Sequence, residues 1–339
     1  MKSISLIAAI GTPLTAHESL HLEGLQRHLH DQWEAGITGV LVGGTMGLMQ
    51  LLPDKTYLSL VEQSIRLSAG RGQVLIGVGD TALTRTLDRV NLLNRWQVDG
   101  VVVLCPYLWK FTQQELIRYF SAIAECSKNP VFLYDLPVLT GTKLELETVL
   151  ALAKHKNIRG IKSSGDFSWT RQLIDLAPAG FEVIVAQADL MDVLLRHGVR
   201  SHLDGIYAAA PMWVRQIAVA ADAHNWDRAA EYQQRLSSLL RVVKRYGVFQ
   251  AFTAILNARG VPGNFAPAPL QPLPDEQREA LVAEPIVQEL LSAAARPGRI
   301  ASTASVAVAG GNGDASGNGQ GHHEPSTAAA RAAAPPRVR

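Results

Sequence analysis

The feature that most constrains the fold of this chain is a regular alternation between short apolar runs and stretches of helical periodicity. Several of the runs, such as residues 39–43 and 100–104, are continuously apolar. Continuous apolar runs are typical of parallel strands that are buried on both faces. Eight strand–helix units therefore predict an α/β fold, a closed (β/α)8 TIM barrel, in preference to an open doubly wound sheet.

The eight predicted strands recur from the N-terminus to residue 208. In chain order they cover residues 6–10, 39–43, 74–78, 100–104, 131–134, 158–162, 181–185 and 203–208. Local signals mark two helix starts, because Thr112 with Glu115 forms a capping box and Pro211 suits the first turn after the eighth strand. The barrel is therefore predicted to cover residues 1–222.

Helical patterns continue after the barrel and predict a C-terminal helical subdomain over residues 223–295. From Arg296 onward the composition changes to alanine, glycine, serine and asparagine, with no leucine and no aromatic residue. Such a segment cannot bury enough apolar surface to offset its chain entropy. Residues 296–339 are therefore predicted to be a disordered low-complexity tail.

The overall composition argues against several classes of partner. A net charge of +2 at pH 7 gives no bias toward nucleic acid or an anionic membrane. The short apolar start at residues 4–10 runs into the turn Gly11-Thr12-Pro13, so it is interpreted as a strand and not as an export signal. No apolar run is long enough to cross a membrane, and two cysteines are too few for a disulfide framework. These observations predict a cytoplasmic protein without nucleic-acid or membrane partners.

The predicted strand at residues 158–162 ends on Lys162 and turns at once through small residues. A lysine at a buried strand end is costly unless it is paired or neutral. Burial also favours the neutral amine, which can attack a ketone. Taken alone, Lys162 fits a surface lysine whose stem is buried and whose ammonium reaches water.

Other reactive groups are predicted to share the same face of the barrel. Active sites of TIM barrels lie at the carboxyl ends of the strands, where this chain carries Lys162, Tyr134, Tyr107 and the turn Gly44-Thr45. A phenol can carry protons while the amine forms an imine, and the turn can hold a carboxylate. Together these groups predict covalent chemistry on a small 2-oxo acid.

Four motifs in order then resemble the dihydrodipicolinate synthase / N-acetylneuraminate lyase family of Schiff-base aldolases, over residues 4–295. The motifs are Gly-Thr-Met-Gly at 44–47, Pro-Tyr at 106–107, Tyr-Asp-Leu-Pro at 134–137 with Thr-Gly at 140–141, and Gly-Ile-Lys-Ser-Ser-Gly-Asp at 160–166. The resemblance implies an imine on Lys162 and proton transfer by Tyr134. It implies substrate contacts from Gly44, Thr45, Met46, Tyr107, Leu139 and Ile206. It also implies no cofactor, no metal, a 2-oxo acid as the small-molecule partner, and a homo-oligomer, either a tetramer or a dimer.

The chain departs from the family pattern at four positions. Met46 replaces a second hydroxyl residue, Leu48 a glutamate, Leu108 a second tyrosine given to the neighbouring subunit, and Leu139 an arginine that binds an aldehyde's carboxylate. An apolar side chain cannot replace that charge-assisted contact. The prediction is therefore a lyase or aldolase with a neutral or apolar second substrate, and not 4-hydroxy-tetrahydrodipicolinate synthase.

Three alternatives stay open at this point. A 2-keto-3-deoxy sugar acid dehydratase would use the same imine, and a non-catalytic 2-oxo-acid-binding homologue would tolerate the four apolar replacements. A metal-dependent barrel aldolase is less favoured because the strand ends lack an Asp, Glu and His cluster. The histidines at positions 17, 21, 28 and 30 match no zinc spacing and are interpreted as a solvated helix face.

Overall fold

The computed structural model describes residues 3–294. Eight parallel strands form a closed barrel in which each strand pairs with its neighbours in sequence and the eighth pairs with the first. The strands are β1 Ser5–Ala9, β2 Gly39–Val42, β3 Gln73–Gly77, β4 Gly100–Leu104, β5 Val131–Asp135, β6 Ile158–Ser163, β7 Glu182–Val185 and β8 Ser201–Asp204. The predicted (β/α)8 barrel is confirmed.

Helices connect the strands and continue after the barrel. They are α1 Leu22–Glu34, α2 Asp54–Ser68, α3 Leu83–Leu93, α4 Gln113–Cys126, α5 Pro137–Thr140, α6 Leu146–Leu152, α7 Phe167–Leu176, α8 Met191–Arg196, α9 Pro211–Asp222, α10 Trp226–Tyr246, α11 Val248–Ala258, α12 Asp275–Ala283 and α13 Pro285–Ala294. The capping box at Thr112 and Glu115 is present, and Pro211 begins α9 as expected.

The C-terminal helices extend the same compact unit as the barrel, because α10 packs against both α9 and α11. The boundary between residues 222 and 223 stays a prediction. The predicted tail at 296–339 lies outside the described residues. Within residues 3–294, none of the helices combines the length and the apolar character needed to span a bilayer.

The eighth strand was predicted at residues 203–208, and this prediction is wrong. The strand covers Ser201–Asp204, and Ile206–Ala208 form a short 3-10 turn. The carboxylate of Asp204 accepts a hydrogen bond from the Ile206 N–H at 3.1 Å, which turns the backbone out of the sheet. Ile206 and the residues after it are apolar because they are buried under the helices, and burial alone does not separate a strand from a turn.

The barrel is filled from both sides of its sheet. Side chains that point to the barrel axis form one cluster, which includes Leu41, Leu75, Phe132 and Leu203. A larger cluster lies between the sheet and the surrounding helices. The strands are therefore apolar on both faces, which explains their continuous apolar runs.

The expectation of a solvated histidine face is wrong for His28. This residue is fully buried, and its ring meets Phe252 and Phe265 edge-on at centroid distances of 6.0 and 5.6 Å. Neither ring nitrogen has a hydrogen-bond partner among the described residues. Burial, with a smaller contribution from the Arg259 charge, lowers the pKa of His28 from 6.5 to about 3.

We therefore expect acid to destabilise the fold partly through His28. The unfolded chain binds a proton near pH 6.5 and the folded chain does not, so the free energy of unfolding falls as the pH drops from 6.5 toward 3. His28→Leu should reduce this slope by up to about 1.4 kcal/mol per pH unit. Urea denaturation at pH 7, 5.5 and 4.5 measures the slope. His30→Leu, at an exposed position of the same helix, is the control. An unchanged slope in His28→Leu would contradict the assignment.

Candidate active site

A cavity of about 390 Å³ opens at the carboxyl ends of the strands. Its walls come from six strand ends or the turns after them, and from three helices. The lining residues are Ala9, Thr45, Met46, Tyr134, Leu136, Val138, Leu139, Lys162, Ser164, Ala186, Asp204, Gly205, Ile206, Leu240, Val243, Val248, Phe249 and Phe252. Six of the eight site residues predicted from the sequence line this cavity: Lys162, Tyr134, Thr45, Met46, Leu139 and Ile206.

Three polar side chains form a hydrogen-bonded chain at the base of the cavity. The Lys162 amine donates to the Tyr134 hydroxyl at 2.6 Å, and that hydroxyl lies 3.1 Å from Oγ1 of Thr45. The Lys162 nitrogen also lies 3.8 Å from the centroid of the Tyr134 ring. Lys162 and Tyr134 are 5% and 3% exposed, so a small molecule in the cavity meets an amine and a phenol largely shielded from water.

Backbone geometry holds the turn that carries Thr45. Gly43 has a φ of +61°, and a Cβ at Gly77 would lie 2.1 Å from the Gly43 carbonyl oxygen, so both positions require glycine. Thr12 donates a hydrogen bond to the Gly47 carbonyl at 2.7 Å and ties the far end of the turn to β1. Thr45 therefore approaches Tyr134 from a rigid support.

Two of the predicted substrate contacts lie outside the main cavity. Gly44 lines a very small space below Thr45 and Tyr134. Tyr107 is half-buried against the interior cluster of the barrel, and burial together with the nearby Asp80 raises the pKa of its hydroxyl. Substrate binding by Gly44 and Tyr107 stays a prediction.

Met46 and Ile206 line the cavity from the turns after β2 and β8. The Met46 sulfur would lie 2.9 Å from a Cβ at Gly205, so the methionine packs directly on the backbone that follows β8. Leu139, on α5, is 65% exposed at the cavity mouth. Met46 and Leu139 present hydrocarbon at positions where the family pattern has polar or charged groups.

Sequence reasoning missed two polar groups of the cavity. Ser164 follows β6, and its hydroxyl is buried without a hydrogen-bond partner among the described residues. Asp204 is the last residue of β8, and burial raises the pKa of its carboxyl, although the positive charge of Lys162 works in the opposite direction. The available signal was an aspartate at a strand's carboxyl end, which was obscured by the wrong bounds of the eighth strand.

The helices α10 and α11 supply an apolar wall that was also missed. Leu240 and Val243 come from α10, and Val248, Phe249 and Phe252 come from α11. Their spacing indicates a helix with a buried face, but nothing in that pattern says that part of the face covers a cavity.

An ion pair lies at the carboxyl end of β5, next to Tyr134. Asp135, fully buried beside Tyr134, pairs with the Lys143 ammonium and accepts the Leu144 N–H at 3.0 Å. The Lys143 nitrogen lies 3.2 Å from the centroid of the Trp169 ring. The Asp135 carbonyl accepts the Ser164 N–H at 3.0 Å. This arrangement connects the end of β5 to the loop before α6 and to the turn after β6.

Lys143→Met is expected to destabilise the protein because it leaves a buried carboxylate without its cation. We expect a loss on the order of 2–3 kcal/mol, below the cost for a fully buried pair, because the Lys143 side chain is 33% exposed. Urea denaturation measures the loss. The double variant Asp135→Asn with Lys143→Met removes both charges and should recover part of it. A single variant as stable as the wild type would show that the pair contributes nothing.

Residues 2–288 match the sequence model described as the dihydrodipicolinate synthetase family. The chain belongs to this family. It is therefore an enzyme of the Schiff-base, class I lyase and aldolase type. Nothing in that assignment specifies the second substrate, which differs between members of such a class.

Similar proteins agree with the family assignment. A 4-hydroxy-tetrahydrodipicolinate synthase of Exiguobacterium sibiricum is 30% identical over 233 residues, which are 68% of this chain and 80% of that protein. The same enzyme of Limosilactobacillus fermentum is 30% identical over 285 residues, 83% of this chain and 91% of that protein.

Solved structures share the fold. YagE, a prophage protein of the family from E. coli K12 in complex with pyruvate, gives a TM-score of 0.77 at 26% identity, over 85% of this chain and 98% of that one. Dihydrodipicolinate synthase of Acinetobacter baumannii, also complexed with pyruvate, gives 0.77 at 23% identity, over 86% and 99%.

Proposed function

We propose that this enzyme is a Schiff-base-forming lyase or aldolase that acts on pyruvate or a related 2-oxo acid through an imine on Lys162. The observation that carries the proposal is the Lys162 amine within 2.6 Å of the Tyr134 hydroxyl, in a cavity large enough for a small substrate. The pyruvate complexes of the similar A. baumannii and E. coli proteins support it.

In the proposed reaction the neutral amine of Lys162 attacks the C2 ketone. Tyr134 gives a proton to the carbinolamine oxygen, which leaves as water, and Thr45 is placed to relay that proton. Thr45 and the N–H groups of the 44–47 turn, including Gly44, hold the carboxylate. The imine then accepts the electron pair of the C3–C4 bond when that bond breaks, and returns it when the bond forms.

Borohydride reduction in the presence of pyruvate tests the imine. We expect one stable adduct, located on Lys162 by mass spectrometry of the digested protein, because reduction converts the imine to a secondary amine. Lys162→Arg is the control, since it keeps the positive charge without forming an imine. No adduct on Lys162 at saturating pyruvate, or an equal adduct in Lys162→Arg, would refute the proposal.

The second substrate is proposed to be neutral or apolar. Lys162 is the only cationic side chain among the described residues that line the cavity, and α5, α10 and α11 contribute only apolar side chains to its wall. The 4-hydroxy-tetrahydrodipicolinate synthase activity of the similar Exiguobacterium and Limosilactobacillus enzymes is not proposed for this chain, because Leu139 cannot bind a carboxylate.

Leu139→Arg should shift the preference toward a partner that carries a carboxylate. We expect kcat/KM for a carboxylated 4-hydroxy-2-oxo acid to rise about fivefold relative to an alkyl analogue, because an exposed charge pair contributes ~1 kcal/mol. Retro-aldol release of pyruvate measures both rates. Leu139→Gln, polar but uncharged, is the matched control. The same rise in Leu139→Gln would show that polarity and not charge is responsible.

The same imine would serve a 2-keto-3-deoxy sugar acid dehydratase, which eliminates a hydroxyl group in place of cleaving a carbon–carbon bond. Product analysis separates the two, since a lyase releases pyruvate and a second carbonyl compound, whereas a dehydratase leaves the carbon chain uncleaved and releases no pyruvate. We also propose a cytoplasmic homo-oligomer, a dimer or a tetramer. Its support is the exposure of Leu108 and Trp109, at 81% and 76%, on the loop after β4. Sedimentation analysis gives the mass.

A further inference from the structure

Asp204 is the only carboxylate among the described residues that line the cavity. It ends β8, while Lys162 lies on β6, and β7 separates the two strands. The Asp204 carboxylate accepts the Ile206 N–H at 3.1 Å, so the backbone holds it in place at the strand end. The cavity therefore contains a second proton-exchanging group besides the Lys162–Tyr134 pair.

The surroundings of Asp204 favour its protonated form. Burial is the largest influence on the carboxyl and raises its pKa, whereas hydrogen bonds from the Ile206 and Gly205 N–H groups lower it; the negative charge of Asp189, an exposed residue after β7, makes a smaller contribution that raises it. The Lys162 charge acts in the opposite direction. The buried Tyr207 phenol also lies close enough to feel the Asp204 charge. Asp204 is thus poised to exchange a proton, where a fully solvated aspartate would stay ionised.

The proposed reaction needs a proton carrier at the second substrate. When a neutral, apolar aldehyde adds to the pyruvate enamine, its oxygen must gain a proton, and the partner carries no acid of its own. The Tyr134 hydroxyl is hydrogen-bonded to the Lys162 amine and lies beside Thr45, at the C2 end of the bound substrate, and Leu240, Val243 and Phe249 offer only hydrocarbon. The Ser164 hydroxyl can hydrogen-bond to the oxygen, but it does not take up a proton itself.

We propose that the carboxyl group of Asp204 transfers the proton to and from the oxygen on C4 of a 4-hydroxy-2-oxo acid that bears an apolar substituent. The step rests on the proposed imine at Lys162. In the cleavage direction the Asp204 carboxylate takes the proton of the C4 hydroxyl, and the C4–O bond becomes a carbonyl. The C3–C4 electron pair moves to form the C2–C3 double bond of the enamine, and the iminium nitrogen becomes neutral. Condensation runs these steps in reverse, with protonated Asp204 as the acid.

The test uses 4-hydroxy-2-oxo-4-phenylbutanoate, the adduct of pyruvate with benzaldehyde, as the probe. Asp204→Asn should lower kcat for pyruvate release by about 10²- to 10⁴-fold, the usual contribution of a general acid–base group. The same variant should keep the borohydride adduct on Lys162. It should also exchange the methyl protons of pyruvate in D2O at nearly the wild-type rate, because that exchange does not involve the C4 oxygen. A purely structural role would impair all three readouts together.

Asp189→Asn is the matched control, because it removes a neighbouring negative charge without changing the cavity lining. Cleavage requires the Asp204 carboxylate, so the wild-type rate should rise with pH through the pKa of Asp204. Asp189→Asn lowers that pKa and should move the rise to lower pH while leaving the maximal rate unchanged. In Asp204→Asn the rise should disappear.

The possible outcomes test the role of Asp204 separately from the proposed imine on Lys162. Wild-type turnover and an unchanged pH profile in Asp204→Asn would overturn the assignment of Asp204. If Asp204→Asn does not fold, an unshifted profile in Asp189→Asn overturns it and a shift to lower pH supports it. A wild-type protein that forms the pyruvate adduct but does not cleave the probe would also overturn it and leave the imine intact. Absence of the adduct would instead refute the proposed function itself.

Discussion

The burial of one amine against one phenol is the constraint on which the rest of this structure depends. A lysine inside a barrel is unfavourable unless a partner satisfies it, and Tyr134 does so from the adjacent strand. Register therefore matters, since Tyr134 and Lys162 are direct partners in the pairing of β5 with β6. Asp135 lies one residue further along β5. Its ion pair with Lys143 and the hydrogen bond that its carbonyl accepts from the Ser164 N–H hold the ends of β5 and β6 in place.

The cavity combines two chemically different halves that come from different parts of the chain. Strand ends supply Lys162, Tyr134 and Thr45, whose positions are set by backbone pairing and by glycine contacts. Helices supply the apolar half, through α5, α10 and α11. Asp204 belongs to both halves. Its carboxyl interacts electrostatically with Lys162, and it lines the same cavity as the apolar side chains of the helices.

Much of the fold was predictable because a strand that is buried on both faces has a continuously apolar sequence. Seven of the strands were placed within one residue of both ends for this reason, and Lys162 with Tyr134 followed from their positions at strand ends. The eighth strand was misplaced because Ile206–Ala208 are equally apolar in a turn. His28 looked solvated because a neutral histidine packed on Phe252 and Phe265 has the same sequence signature as an exposed one. Contacts between distant segments, such as those of α11 at the barrel mouth, produce no local sequence pattern from which they could be predicted.

Phe252 belongs both to the cavity lining and to the packing against α1. One edge of its ring borders the substrate space, while another meets His28 on the first helix of the chain. A truncated chain that ends after α9 would lack Phe252 and Phe265, expose the buried His28 to solvent and open the cavity at the same time. The smallest unit that can retain activity is therefore longer than the barrel itself. If the proposed function holds, exchange of α10 and α11 between relatives is expected to change the selectivity for the second substrate while Lys162 and Tyr134 stay in place.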